Sequence, residues 1–210
     1  MVFFTQGMSY IAALLLLYMD EYETFVCFSN LLAIRTNRDF YMLEPAAITG
    51  YVKTFNQFFK QYLPLLYDHF EEEGITTTIF LLDWHLTIFT KALPLEIAAR
   101  IWDCYLHCGE VYILRASLGL LRLFARRLST LGMEKILPFL AHVPEEELSA
   151  SELINSIEQI RISPEKYRNI RIQFDENLQR DSVNMGALAP DMNASPNSFS
   201  LRKSIASMFT

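Results

Sequence analysis

Apolar side chains recur at steps of three and four along most of this chain, and no stretch sustains an alternation by twos. That period marks helices with a buried face, whereas half-buried strands need a period of two. Val52, Phe55, Phe59, Tyr62 and Leu66 follow it, as do Leu114, Leu118, Leu121, Ala125 and Leu128. Only seven glycines are spread through 210 residues, and glycine is second only to proline in weakening a helix interior. The expected fold class is all-α.

The boundaries can be read in the same way. Ile11, Leu14, Leu15 and Tyr18 define a first helix whose other face is also apolar, which predicts burial all round. "TFVCFSNLLA" is a second helix ending near the polar "RTNRD", which puts Arg35 and Arg38 in a loop. A long helix through Val52 and Leu66 is interrupted at Pro64, and Gly74 stands where a C-cap glycine belongs. "TTTIFLLDWHLTIFTKALP" keeps helical spacing at Ile79, Leu82, Leu86 and Phe89, with Pro94 as its stop. "PLEIAARIWDCYLHCGE" opens on Pro94 and closes on Gly109, the favoured residues at those two ends. Shorter helices are expected over Met133 to Leu140 and Ser149 to Ile160, separated by Pro144 and Glu145 to Glu147. From Asp181 the chain turns to Ser, Asn, Ala and Pro, a composition that predicts a disordered tail. Its terminal "SLRKSIASMF" has a second reading as a short amphipathic helix.

Composition narrows the function. With 51% apolar and 13% aromatic residues the chain can bury a sizeable core in one domain, with or without a tail. A net charge of −6 gives general nucleic-acid binding no electrostatic support. Three cysteines, Cys27, Cys104 and Cys108, are an odd count in a chain without a disulfide-scaffold composition, which favours a reducing intracellular compartment. No residue from Met1 to Met19 is charged, yet Thr5, Gln6, Gly7 and Ser9 break the apolar run and no basic segment precedes it. A buried helix is preferred there over a signal or anchor segment.

The chemical candidates have plain competitors. Asp103, Cys104, His107 and Cys108 form one group without the second pair that a structural zinc site uses, so helix packing is preferred. A Cys–His nucleophile there lacks an orienting third group. Asp83 beside Trp84 in an apolar helix needs a cationic partner; Arg100 or Arg115 is expected to supply it, giving an ion pair between two helices. The alternative is a partner-binding groove involving these residues with Trp102. No Gx4GK[ST] phosphate loop occurs.

The order of "QGMSYIAALLLLYMD", "TFVCFSNLL", "LLDWHLTIFTKALPLEIAARIWDCYLHCGE" and "ILRASLGLLRL" resembles the TBC domain of Rab GTPase-activating proteins, over roughly residues 3–163. The middle segment looks closest to the subgroup associated with autophagosome formation and recycling-endosome traffic. The resemblance implies an all-helical domain that is not itself the hydrolase but accelerates GTP hydrolysis by a Rab in trans. An arginine finger neutralises charge on the transferred phosphoryl group and a glutamine finger orients the attacking water. "FTQGM" matches the family's Y-x-Q-G-M segment, so Gln6 maps onto the glutamine finger, with Phe4 in place of the tyrosine. Gly7 is expected to permit a tight turn that presents the Gln6 amide.

The family's arginine belongs to an I-x-x-D-x-x-R motif that precedes this segment. Five residues precede Gln6, and the motif occurs nowhere downstream; Ile172 to Leu178 imitates it with Leu178 in the arginine's place. Arg35 and Arg38 lack its context. The expectation is a partial domain without its N-terminal helices, retaining a small fraction of the activity and exposing apolar surface on its first helix. A fragment of a longer protein is the preferred explanation. The implied organisation is a partial TBC domain over 1–163, a helical extension over 164–180 and the tail over 181–210. The implied partner is a Rab-family GTPase in its GTP-bound form, with no cofactor, metal or nucleic acid and at most peripheral membrane association. The implied location is cytoplasmic, on endosomal or autophagic membranes. A non-catalytic Rab-binding adaptor is the alternative function.

Overall fold

The computed structural model describes residues 7–187, with side chains as far as residue 177. Gln6 and residues 188–210 lie outside the described residues. Twelve α-helices occur in the described part: α1 Met8–Leu16, α2 Glu21–Ala33, α3 Arg35–Tyr41, α4 Pro45–Tyr62, α5 Pro64–Glu72 and α6 Thr78–Thr87, then α7 Leu95–Cys108, α8 Glu110–Leu123, α9 Ala125–Leu128, α10 Met133–Ala141, α11 Ala150–Glu158 and α12 Pro164–Ala187. A 3₁₀ turn spans Glu145–Glu147, and no strand occurs among the described residues. The all-α expectation holds. The α12 backbone continues helical past Asp181 to Ala187.

Three helices organise the rest. α4 packs on α3, α5, α8 and α12; α6 packs on α1, α3, α8 and α10; α8 also meets α7, α9 and α11. Between them runs a file of aromatic rings: Phe59 with Phe70, Phe70 with Phe80, Phe80 with Trp84 and Trp84 with Phe89, centroids 4.8–6.1 Å apart. Tilted and edge-on pairs of this kind add to the burial of large rings. The Trp84 indole N–H donates to the Leu140 carbonyl at 2.9 Å, tying α6 to α10.

Several boundaries follow the residues that predicted them. Pro64 breaks α4 from α5. Gly74, at φ 70°, closes α5 in a Schellman arrangement. The Ile75 amide reaches Phe70 O at 2.8 Å and the Gly74 amide reaches Glu71 O at 3.1 Å. Pro94 and Gly109 flank α7. Asp20 caps α2 by accepting from the Glu23 amide at 2.8 Å.

Other expectations are corrected. "RTNRD" is not a loop: Arg35 and Arg38 stand on α3, because Asn37 is buried and donates to Leu31 O and the Tyr105 hydroxyl, while Phe40 and Tyr41 fill the core. α6 stops at Thr87, well before Pro94, and the predicted helix over Leu114 to Leu128 breaks at Phe124. Asp83 pairs with Lys91 at 2.8 Å rather than with Arg100 or Arg115, so the pair pins the turn after α6 and not two helices. Arg115 instead donates to Ile160 O at 2.8 Å. Cys104 is partly buried, but His107 and Cys108 are exposed, so helix packing accounts for only the first of the three.

α1 is also not buried all round. Met8, Ile11, Leu14 and Leu15 face the core, while Leu16 on α1 (50% exposed), Leu17 just after it (62%) and Tyr22 (76%) and Phe25 (69%) on α2 are exposed. No helix among the described residues is long and apolar enough to cross a membrane.

One buried titratable group gives the fold a pH signature. His85 stacks on Phe40 with centroids 3.8 Å apart and meets the Tyr51 edge at 5.0 Å. Burial, with a smaller contribution from the Arg171 charge, pushes its imidazole down from 6.5 to about 3. Below pH 6.5 the unfolded chain binds a proton there that the folded chain refuses. His85 therefore contributes stability above pH 6.5 that is lost as pH falls towards 3, at up to about 1.4 kcal/mol per pH unit. Urea unfolding of the parent and His85→Phe at pH 7 and pH 5 checks this. The parent should lose more stability than the variant between those values, and equal losses would refute the assignment.

Candidate functional site

The described residue next to the predicted glutamine finger is Gly7, and its surroundings are tight. Gly7 is buried at the head of α1 with φ −67° and ψ −24°, an ordinary helical conformation. The expected tight turn is therefore not why glycine stands here. A Cβ on Gly7 would fall 2.7 Å from Leu86 O and 2.9 Å from Leu86 Cβ. Close backbone approach requires the glycine. The head of α1 thus sits directly on the last turn of α6, with Met8 and Ile11 buried beside it.

The end of α6 is shaped by two residues in an uncommon conformation. Ile88 and Phe89 have φ of 45° and 62°, the left-handed region that a β-branched residue rarely adopts. They close the helix as a glycine would: the Phe89 amide reaches Trp84 O at 3.0 Å and the Ile88 amide reaches His85 O at 3.3 Å. Both side chains are fully buried, and core packing offsets the strain. The following residues are held by the Asp83–Lys91 pair and by the Trp102 indole N–H, which donates to Thr90 Oγ1 at 3.1 Å.

This closure removes one carbonyl from the helix ladder. Leu86 O would accept from the Thr90 amide in a continuing helix, but that amide donates to Thr87 O at 3.0 Å. The Tyr41 hydroxyl, from the end of α3, donates to Leu86 O instead at 2.7 Å. Burial, chiefly, pushes the Tyr41 phenol well above its ordinary value, so it remains a donor throughout the physiological range. Sequence reading missed Tyr41, and nothing in the sequence pairs it with a carbonyl 45 positions away.

Arg35 and Arg38 approach Asp39 at 3.6 and 3.8 Å. They line a cleft of about 660 Å³ with Glu44, Glu110, Arg171 and Asp175, in which positive and negative groups alternate. Ile172 and Asp175 of the arginine-motif imitation stand on α12, where Asp175 pairs with Arg171 at 3.4 Å. No group of three or more metal-ligating side chains converges among the described residues.

The Rab-GTPase-TBC domain family model matches residues 1–129 of the chain. The chain belongs to this TBC family. The match takes in Gln6, the Gly7 seat, the end of α6 and the whole of α7 and α8. Similar relatives extend the likeness over most of the TBC chain. TBC1 domain family member 14 of Homo sapiens is 36% identical over 189 residues, covering 90% of this chain and 27% of its own length. TBC1 domain family member 12 of Mus musculus is 32% identical over 183 residues, covering 86% and 26%. Drainin of Dictyostelium discoideum is 30% identical over 164 residues, covering 78% and 37%. The chain thus spans about a quarter of the length of the TBC1 relatives. The solved Ypt/Rab-GAP domain of Gyp1p has the same fold, with a TM-score of 0.62 and 18% identity over 74% of this chain and 58% of that one.

Proposed function

We propose that this chain carries the water-orienting part of a Rab GTPase-activating site, with Gln6 as the glutamine finger acting on a GTP-bound Rab. The observation that carries the reading is the Gly7 seat within the TBC match: only glycine fits beneath the Leu86 carbonyl, and Gln6 is the residue directly before it. The side-chain amide suits the task. Its carbonyl accepts from the attacking water and its NH₂ donates towards the phosphoryl oxygens, holding the nucleophile in line. The chain supplies orientation while the Rab supplies the bound nucleotide, so no cofactor of its own is required.

The 210 residues contain no I-x-x-D-x-x-R motif, which favours a second reading in which this chain binds a Rab without stimulating it. A panel of Rabs separates the two. GTP-dependent binding with a small acceleration that Gln6→Ala abolishes supports the activator. Binding with no acceleration supports the adaptor, and no binding removes both. For cellular context we carry forward the autophagosome and recycling-endosome subgroup, on the motif order quoted above, with peripheral membrane association from the cytoplasm. A tagged chain found on neither compartment would remove that assignment.

A further inference from the structure

We infer that Ser163 is a phosphorylation site for a proline-directed serine/threonine kinase, recognised through Pro164 and Lys166. Ser163 is exposed in the segment that joins α11 to α12, and Pro164, Glu165 and Lys166 after it are exposed as well. Its oxygen accepts from the Lys166 amide at 3.1 Å, and its own proton is not committed to a carbonyl among the described residues. The Ser129 and Thr130 hydroxyls differ in this respect, since they donate to Ala125 O and Arg127 O. An acceptor hydroxyl must give up its proton in the transfer, so the uncommitted one is the better nucleophile.

The neighbouring residues set the kinase class. Ser163 and Ser195 are the two serines that precede a proline in this chain, and only Ser163 has a basic residue three positions on. Proline has no backbone N–H. A kinase whose pocket offers that amide no hydrogen-bond partner accepts Pro164 and rejects other residues. The Lys166 ammonium gives the enzyme a charge to read. In the transfer, Ser163 Oγ bonds to the γ-phosphorus of Mg·ATP while the bond from that phosphorus to the bridging oxygen breaks. ADP leaves, and the hydroxyl proton passes to the kinase's catalytic aspartate. Engagement requires the first turn of α12 to open, which breaks the bond from the Tyr167 amide to Ser163 O at 3.0 Å. Opening of this kind at a helix end is low in cost.

The product is compatible with the fold. Phosphoserine carries roughly −1.5 to −2 charge at pH 7 and pairs with nearby cations and first-turn amides. Arg161 and Lys166 flank Ser163 and are exposed. Lys166 also reaches Gln61 of α4 at 3.3 Å and lies over the Phe58 ring at 5.5 Å. A phosphate at Ser163 therefore tightens α12 where that helix meets α4.

The 210-residue chain, incubated with a proline-directed kinase and Mg·ATP, should take up phosphate on Ser163 ahead of Ser195, as located by fragment masses. Ser163→Asn keeps a capping oxygen and should abolish that uptake, while Pro164→Ala should slow it about tenfold. On phosphorylation, hydrogen exchange at the Lys166 and Tyr167 amides should slow about threefold, with the Phe55–Phe59 amides unchanged. No phosphate on Ser163, uptake on Ser195 alone, or a Pro164→Ala variant modified as fast as its parent overturns the inference. Exchange at Lys166 and Tyr167 that is unchanged or faster after modification overturns the tightening of α12.

Discussion

Joined in cis to an upstream segment bearing an I-x-x-D-x-x-R motif, this chain is expected to accelerate GTP hydrolysis on its Rab about 10³–10⁵-fold more than the 210 residues alone. The reason is the division of labour between the two fingers. On the proposed assignment the glutamine places a water, which addresses orientation, but the barrier to phosphoryl transfer lies mainly in charge spreading over the transferred group and the leaving oxygen. A guanidinium at that position is a fixed cation in a water-excluded site, where electrostatic stabilisation is strongest. Arg35 and Arg38 approach Asp39 on α3 and line a cleft of mixed charge with residues of α12, and neither belongs to an I-x-x-D-x-x-R motif. Replacing the motif's arginine with lysine in the joined form should recover little, because a point charge lacks the planar fork of the guanidinium. Single-turnover rates with the chain alone, the joined form and the lysine variant check the prediction.

Gly7→Val is expected to remove about 100-fold of the Gln6-dependent rate and to destabilise the chain by about 1–3 kcal/mol, the usual range for overpacking. Backbone strain is not the cause, since Gly7 has a helical φ of −67° that valine tolerates. The cause is space: the Cβ overlaps a backbone oxygen and the Leu86 Cβ at 2.7 and 2.9 Å, and neither is the far end of a flexible side chain. The Leu86 oxygen is itself tethered by Tyr41, so α1 must move. Gly7→Ala should show the same sign at smaller size. Thermal unfolding and single-turnover hydrolysis, measured on both variants, check the ordering. A valine variant with parental rate and stability would show that α1 is not seated on α6.

The sequence made much of this legible, and for identifiable reasons. Helix-breaking residues act locally, so Pro64, Gly74 and Gly109 announced their boundaries correctly, and Pro94 announced the start of α7 though not the end of α6. Gly7 was legible as a special position, but the reason inferred for it was wrong, because close approach to Leu86 is a contact across about 80 positions that no local signal encodes. α3 escaped notice because "RTNRD" is polar, and its helix is secured by the burial of Asn37, Phe40 and Tyr41. The end of α6 was illegible for the opposite reason. Ile88 and Phe89 disfavour the left-handed conformation they adopt, and only the core that buries them makes it the better choice. Lys91 was overlooked because a charge partner was sought on a neighbouring helix, when the turn after α6 brought one back within eight residues.

The most direct measurement is the effect of Gln6→Ala on the joined, arginine-bearing form, read by single-turnover GTP hydrolysis on the Rab it accelerates best, alongside binding of the same Rab. The account predicts a rate loss of about 10²–10³-fold with Rab binding unchanged, because the amide acts on the water in the transition state and not on the ground-state complex. A variant that hydrolyses GTP as fast as its parent would contradict the account.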